Sequence, residues 1–378
     1  MLKVAIVGCG KIADAHASQI QFVPECQMVA TCDSELLMAR QLAERFSIQQ
    51  SFANLDELLN DARPDVVHIT TPPESHFALA RRCLLAGSHV YVEKPFTLCE
   101  SEAQDLIDLA IKQGLKVTVG HDDQFTHATR RMRALVASGY LGGDPVHMEA
   151  YYGYELRDNS YARALLCDKT HWVRRLPGKL LQNVISHGIA RIAEYLNSDS
   201  PAVFAQGFRS PLLKKLNEEE IIDEARVTIC TEGGPSAYFT FSSQMRPSLH
   251  QFRIYGPNNG ILLDRDYESV VKLPGDRLKS YLQYFVPPMR MAGQYLENAA
   301  INIRAFMARD FHLKGGMRFL INEFYQSILE GTPLPISYRE ILLTARIMDS
   351  IFDQLKTQHW RDAVAAEEDV AASVGIAR

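Results

Sequence analysis

Lys3-Val4-Ala5-Ile6-Val7-Gly8-Cys9-Gly10-Lys11-Ile12-Ala13 is the stretch that decides the fold of this chain. Its apolar run, Val4 to Val7, does not alternate with polar residues, as expected of a strand buried on both faces. The run feeds straight into Gly8-x-Gly10-x-x-Ala13, and a helical pattern follows over Ile12–Phe22. In that order, strand, glycine turn and helix form a dinucleotide site. The first glycine permits the tight turn, and the second lets main-chain N–H groups approach a pyrophosphate at a helix N-terminus. The small third residue lets helix pack on strand. The next apolar run, Met28–Cys32, ends at Asp33, about 20 residues past the motif as the fingerprint requires. A carboxylate there accepts the ribose hydroxyls of NAD and repels the 2′-phosphate of NADP, so NAD is the expected cofactor. Gly8, Gly10, Lys11, Ile12 and Asp33 are its expected contacts.

Working outward, further apolar runs at Asp65–Thr70, His89–Val92 and Lys116–Val119 alternate with helical spacing at Glu35–Phe46, Leu55–Asn60, Phe77–Ala86 and Ser101–Gln113. Continuous apolar strands separated by amphipathic helices predict a doubly wound parallel sheet over residues 1–123. The pattern changes after Phe125. A helix is predicted at Ala128–Ser138, a strand at Val146–Tyr154 and one helix at Lys179–Leu196. Strand-like runs then follow one another at Ala202–Phe208, Ala225–Thr231, Ala237–Ser242, Gln251–Tyr255 and Ile261–Asp264. Strands without intervening helices predict an α+β domain with a mainly antiparallel sheet over 124–316, and Asn258-Asn259-Gly260 reads as a hairpin turn. Leu273–Gly293, punctuated by Pro, Gly and Met, reads as an irregular loop. Helical periodicity returns at Met317–Glu330 and Tyr338–Gln354, giving closing helices over 317–360. The tail 361–378 lacks a core pattern and is expected to be mobile.

The chain has 378 residues and a formal net charge of -5, with no Lys/Arg block of the kind that tracks a phosphate backbone. Nucleic acid is therefore not an expected partner. No apolar stretch is long enough for a bilayer, and the N-terminal run is too brief for a signal peptide. The seven cysteines are odd in number, scattered and free of any C-x-x-C pair. That pattern suits neither a zinc site nor a disulfide framework, so no metal is expected and a cytoplasmic location is.

Two more segments lie at carboxyl ends of predicted parallel strands, where open α/β sheets bind ligands. They are Thr70-Thr71-Pro72-Pro73-Glu74-Ser75-His76 and Glu93-Lys94-Pro95. Together with G-x-G-x-x-A they resemble the glucose–fructose oxidoreductase / inositol dehydrogenase family (Gfo/Idh/MocA), over most of the chain. The resemblance implies an N-terminal Rossmann domain and a C-terminal α+β domain whose open-faced sheet forms a homodimer or homotetramer interface. It implies that Thr71, Pro72 and His76 line the cofactor cleft, with Glu93 beside them. Lys94 is implied to lie near the nicotinamide and the reacting hydroxyl.

Family members usually carry an Asp and a His four residues apart on a helix of the second domain. The matching segment here is Asn183-Val184-Ile185-Ser186-His187. Helical spacing independently sets Asn183, His187 and Arg191 on one polar face against Leu181, Val184, Ile185, Ile189 and Ile192. His187 is the candidate general acid/base, and Asn183 is expected to orient a hydroxyl without supplying charge. Arg157, Arg163, Arg174 and Arg175 lie nearby among Tyr151, Tyr152, Tyr154, Tyr161, His171 and Trp172. Arg suits carboxylate or phosphate and aromatic faces suit sugar rings, so Tyr154, Arg163, Trp172, Arg174 and His121 are candidate substrate contacts. The expected activity is NAD-dependent oxidoreduction of a sugar or sugar derivative, a uronate or nucleotide sugar among them. Glycoside hydrolysis, epimerisation or dehydration by transient oxidation, and a non-catalytic NAD-binding regulator, are the alternatives.

Overall fold

A computed structural model describes residues 1–156, 165–308 and 314–373, the side chains beyond 358 excepted. Its first unit alternates β1 (Leu2–Val7), α1 (Lys11–Ile20), β2 (Cys26–Cys32), α2 (Leu36–Phe46), β3 (Gln50–Phe52), α3 (Leu55–Asp61) and β4 (Val66–Ile69). It continues through α4 (His76–Leu85), β5 (His89–Val92), α5 (Glu100–Gln113) and β6 (Val117–Val119). The six strands pair in parallel in the order β3-β2-β1-β4-β5-β6. The order reverses between β1 and β4, which sets Gly8 and Thr70 side by side at the switch point where such sheets bind ligands. Val4, Ala5, Ile6, Val66, Val67, Ile69 and Val90 are fully buried, as the unalternating runs require. The three-residue β3 carries no apolar run and was not legible.

The second unit contains α6 (His127–Ala137), β7 (His147–Gly153), α7 (Lys179–Val184), α8 (Ser186–Ala193), β8 (Ala202–Phe208), α9 (Pro211–Lys215), β9 (Glu224–Cys230) and β10 (Ser236–Ser242). It goes on with β11 (His250–Tyr255), β12 (Asn259–Asp264), β13 (Ser269–Pro274) and α10 (Leu282–Met307). The sheet order is β13-β12-β11-β7-β10-β9-β8, antiparallel except for β7 with β10. One face packs on α8, and Phe239, Phe241, Phe252 and Ile254 meet Ile189 and Ile192 in a second core.

Two sequence expectations need correction. The segment expected as a loop over 273–293 is irregular only over 275–281; it begins with the last two residues of β13, and from Leu282 it forms the start of the 26-residue α10. Pro287 and Pro288 lie within the first two turns of α10, where the N–H groups they forgo leave solvent-facing carbonyls that water satisfies. The Met-, Ala- and Leu-rich remainder then propagates the helix. The single helix expected over 179–196 is two, broken at Ile185, where Gly188 N–H takes a three-residue bond to the Ile185 carbonyl.

The closing helices differ in what they join. α11 (Gly315–Glu330) adds Met317, Leu320, Ile321, Phe324 and Tyr325 to the N-terminal core. α12 (Tyr338–Ser373) places Ile341 in that core, and Leu343, Ile347, Ile351 and Phe352 in the other. Among the described residues, no helix is long and apolar enough to cross a membrane, and all seven cysteines are free.

Side-chain amides finish both edges of the second sheet. On α10, Gln294 accepts from Lys272 N–H and donates to its carbonyl; Asn298, one turn on, does the same at Val270. On α12, Gln354 accepts from Ala205 N–H and donates to the Val203 carbonyl, and Gln358 accepts from and donates to Gly207. Helical i, i+4 spacing thus matches strand i, i+2 spacing, and the edge strands meet amides where another strand could pair. Asn298→Leu strands the buried main-chain groups of Val270, and should cost about 2–4 kcal/mol in urea unfolding. A change near zero would mean the amide pairing contributes nothing to the edge.

Candidate functional site

The glycine turn is built by close packing. Gly8 has a φ of +91°, and a Cβ there would lie 2.6 Å from Thr71 Cγ2 and 2.8 Å from Thr71 N. Side chains fit neither the conformation nor the space. Gly10 precedes α1 without a side-chain cap, and nothing lies within 4 Å of where its Cβ would be. The unpaired N–H groups of the first turn, at Lys11 and Ile12, therefore open onto free space of the kind a pyrophosphate fills. Beside the turn, Asp33 Oδ2 accepts from Cys9 N–H at 2.7 Å and Oδ1 from Glu35 N–H at 2.9 Å. The basic side chains whose charge reaches Cys9 and Cys32, Arg45 and Arg82, are paired with Asp14 and Asp56. The residues present fit a dinucleotide with an unphosphorylated ribose.

His76 straps this turn to the next motif. Its Nδ1 lies 2.9 Å from the Pro95 carbonyl and its Nε2 2.9 Å from the Thr71 carbonyl. Burial pulls its pKa down, while the two carbonyls favour protonated nitrogens. Pro72 and Pro73 start the short turn between Thr71 and His76.

Glu93 anchors the end of β5. His16 Nε2 bonds its Oε1 at 2.8 Å, His16 Nδ1 meets His68 Nδ1 at 2.8 Å, and His68 Nε2 meets the Tyr325 hydroxyl at 2.8 Å. One assignment of protons satisfies the whole buried chain: Tyr325 donates to His68, His68 to His16, and His16 to the carboxylate. Burial alone would raise the Glu93 carboxyl, but the His16 bond and the charges of Lys94 and His187 bring it down to about 2. Gly120 makes the room, because a Cβ there would sit 2.8 Å from Glu93 Oε1.

Lys94 crosses from this strand end to the second unit, donating to the main-chain carbonyl of Asn183 at 2.9 Å. Asn183 thus meets Lys94 through its backbone, and the break at Ile185 separates it from His187. The His187 ring lies beneath Tyr152, with ring centroids 6.4 Å apart and planes 11° from parallel, and edge-on to His121 at 5.7 Å. Its Nδ1 is buried without a hydrogen-bond partner, 3.9 Å from Asp123 Oδ2. Burial takes His187 down to about 4, against the pull of Asp123, with Lys94 and Arg265 adding to the fall. His121 is pushed down to about 3 by burial and then by His187 and Lys94. Both rings are neutral at pH 7, as a proton acceptor must be.

The sequence patterns single out neither Asp123 nor Arg265. Arg265 Nη2 holds Asp123 Oδ1 at 2.7 Å, and Arg191 donates to the Asp123 carbonyl at 2.9 Å. Despite burial, the charges of His187, Arg265 and Arg191 bring Asp123 down to about 2. Asp122 goes the other way, to about 7, through burial and the neighbouring Asp123 charge. No spacing rule could have joined residues 123, 187 and 265, which meet only through the two sheets. Asp122, Asp123 and His187 also offer ligand atoms within 4.8 Å of one another, so the expectation of no metal meets a geometry that could hold one.

Arg174 corrects the substrate expectation. Its guanidinium is buried on Glu218 at 2.7 Å and on the carbonyls of Leu165 and Leu166, which leaves it no face for a ligand. The neighbouring Arg175 points to the first unit instead, gripping Glu74 of the Thr71–His76 turn at 2.8 and 3.0 Å. Tyr154 and Trp172 pack against the second core, and Arg163 lies outside the described residues.

Residues 2–121 match a family model described as "Oxidoreductase family, NAD-binding Rossmann fold". The myo-inositol 2-dehydrogenase of Thermotoga maritima is 23% identical, over 78% of this chain and 85% of its own. The D-glucoside 3-dehydrogenase of Escherichia coli is 34% identical, over 37% of this chain and 40% of its own. Among solved structures, the UDP-N-acetylglucosamine 3-dehydrogenase of Acidithiobacillus ferrooxidans superposes with a TM-score of 0.70. That match is 18% identical and covers 95% of this chain and 99% of the other, which establishes the likeness of fold.

The raised Asp122 carboxyl has a consequence for stability. A folded pKa above the unfolded value gives a contribution that is complete below about pH 4 and lost as pH rises through 7. Asp122→Asn should therefore melt about 2–4 °C above the wild type at pH 8, with the gap closing toward pH 4. An equal offset at both pH values would show that Asp122 does not titrate as the geometry requires.

Proposed function

We propose that this chain, which belongs through its residues 2–121 to the Gfo/Idh/MocA family of NAD-binding oxidoreductases, oxidises a CH–OH group of a sugar or sugar derivative. The observation that carries the reading is the convergence of Lys94, at the end of β5, with His187 on α8, on the side of the sheet where the glycine turn opens. NAD, when bound, supplies the hydride acceptor at its nicotinamide. Gly8, Gly10, Lys11 and Ile12 bind its pyrophosphate, Asp33 its ribose, and Thr71, Pro72 and His76 border it. Lys94 offers positive charge to the developing alkoxide, and His187 takes the hydroxyl proton. Asn183 acts by fixing the Lys94 ammonium through its carbonyl.

Relatives named as dehydrogenases of myo-inositol, D-glucoside and UDP-N-acetylglucosamine support a sugar or polyol substrate. The test is to add NAD and follow absorbance at 340 nm across sugars, uronates and nucleotide sugars. Net reduction on one member supports the reading, and Lys94→Ala should then cut kcat by at least about 100-fold with NAD still bound. Retained NAD without net reduction, accompanied by altered sugar, would shift the activity to transient oxidation. No turnover of any member would overturn it. Asp33→Ala should weaken NAD by about tenfold and narrow its preference over NADP; an unchanged preference would remove Asp33 from the ribose.

Self-association completes the reading. The outward sheet face exposes Phe204 and Tyr238 beside a groove of about 1260 Å³ that runs along α12. α10 exposes Tyr284, Phe285, Met289 and Leu296. Exposed apolar side chains such as Phe204 and Tyr238 mark an interface, and a homodimer or homotetramer through the sheet covers them. Sedimentation should show a dimer or tetramer that Phe204→Glu/Tyr238→Glu shifts toward monomer; a monomeric wild type would refute the assembly.

A further inference from the structure

We propose that Asp123 is the positioning residue for His187, supplying from the loop after β6 the carboxylate that position 183 lacks. The inference rests on the reading of His187 as proton acceptor. Its observations are separate from the cofactor site. His187 Nδ1 is buried and unpaired, and the nearest carboxylate oxygen, Asp123 Oδ2, stands 3.9 Å away. A contact of that length closes to a hydrogen bond with a small ring rotation, as catalytic bonds do when substrate arrives. The other oxygen is fixed by Arg265 at 2.7 Å, and the Asp123 backbone by Arg191 at 2.9 Å. Asp123 is therefore held with one oxygen free and aimed at the ring.

The chemistry follows from where the charge goes. With Nδ1–H directed at Asp123, the lone pair of His187 is on Nε2, toward the reacting hydroxyl. When Nε2 takes the proton the ring becomes a cation, and Asp123 stabilises it while remaining ionised. Without that carboxylate the ring faces Lys94, Arg191 and Arg265, with Glu93 and Asp122 as the remaining acids and His121, Tyr152 and His250 also nearby. Burial and the lysine already depress the ring, so losing Asp123 would leave it a very poor base. The Asp122–Asp123–His187 cluster is also a possible cation cage, but the guanidinium on Asp123 Oδ1 already occupies one ligand oxygen.

The test uses full-length protein saturated with NAD and labelled with ¹⁵N-histidine, His187 being assigned with His187→Gln. In the wild type His187 should carry its proton on Nδ1. Asp123→Asn should abolish that preference and lower the ring's titration midpoint, and Asp123→Glu should keep both. On any substrate the panel yields, Asp123→Asn should lose about 100-fold in kcat with KM for NAD unchanged, and Asp123→Glu should recover at least about tenfold. A wild-type proton on Nε2 would overturn the proposal, as would undiminished kcat in Asp123→Asn. So would a stoichiometric divalent ion whose chelation changes the His187 signal. The wild-type tautomer needs no substrate, so it decides on Asp123 even if no sugar is turned over and the functional reading falls.

Discussion

The bond from the Lys94 ammonium to the Asn183 carbonyl is the constraint on which the site depends. It joins the carboxyl end of a parallel strand to a helix of the other unit, and so holds the two units together beside the glycine turn. Each end of that bond has its own support. Behind Lys94, the buried run from Tyr325 through His68 and His16 to Glu93 holds the strand end from α11. Behind Asn183, the break at Ile185 lets α7 present a free carbonyl while α8 turns His187 inward. A site spread over two units gains its precision from rigid neighbours, because small misplacements at a reacting centre are costly.

The second sheet has the opposite problem, since it must stay open on one face without joining strangers at its edges. Amides on α10 and α12 close both edges and leave the broad face free. Main-chain groups of Val270, Lys272, Val203, Ala205 and Gly207 are thereby paired where a foreign strand would otherwise dock.

Local patterns made the first unit legible. Unalternating apolar runs, glycine turns and an acid at fixed distance each report on neighbours close in sequence, and Gly8, Asp33 and Lys94 all fell where those rules put them. The same rules failed where chemistry depends on distant partners. Arg174 read as a ligand residue because arginines among aromatics suit sugars, yet Glu218 claims it. Asn183 meets Lys94 through its main-chain carbonyl, a contact that no side-chain pattern reports. Asp123 escaped because its value lies in facing His187 and Arg265, which only the assembled sheets bring near. Prolines at 287 and 288 concealed a helix whose later residues are strong helix formers.

Transfer of isotope from substrate to cofactor tests the central claim most directly. A sugar turned over by the enzyme would be prepared with deuterium on the carbinol carbon and reacted with NAD, and the nicotinamide examined by mass spectrometry and NMR. The account predicts deuterium at C4 on one face, with a primary isotope effect. Product formed without deuterium at C4 would contradict direct oxidation at the Lys94–His187 site.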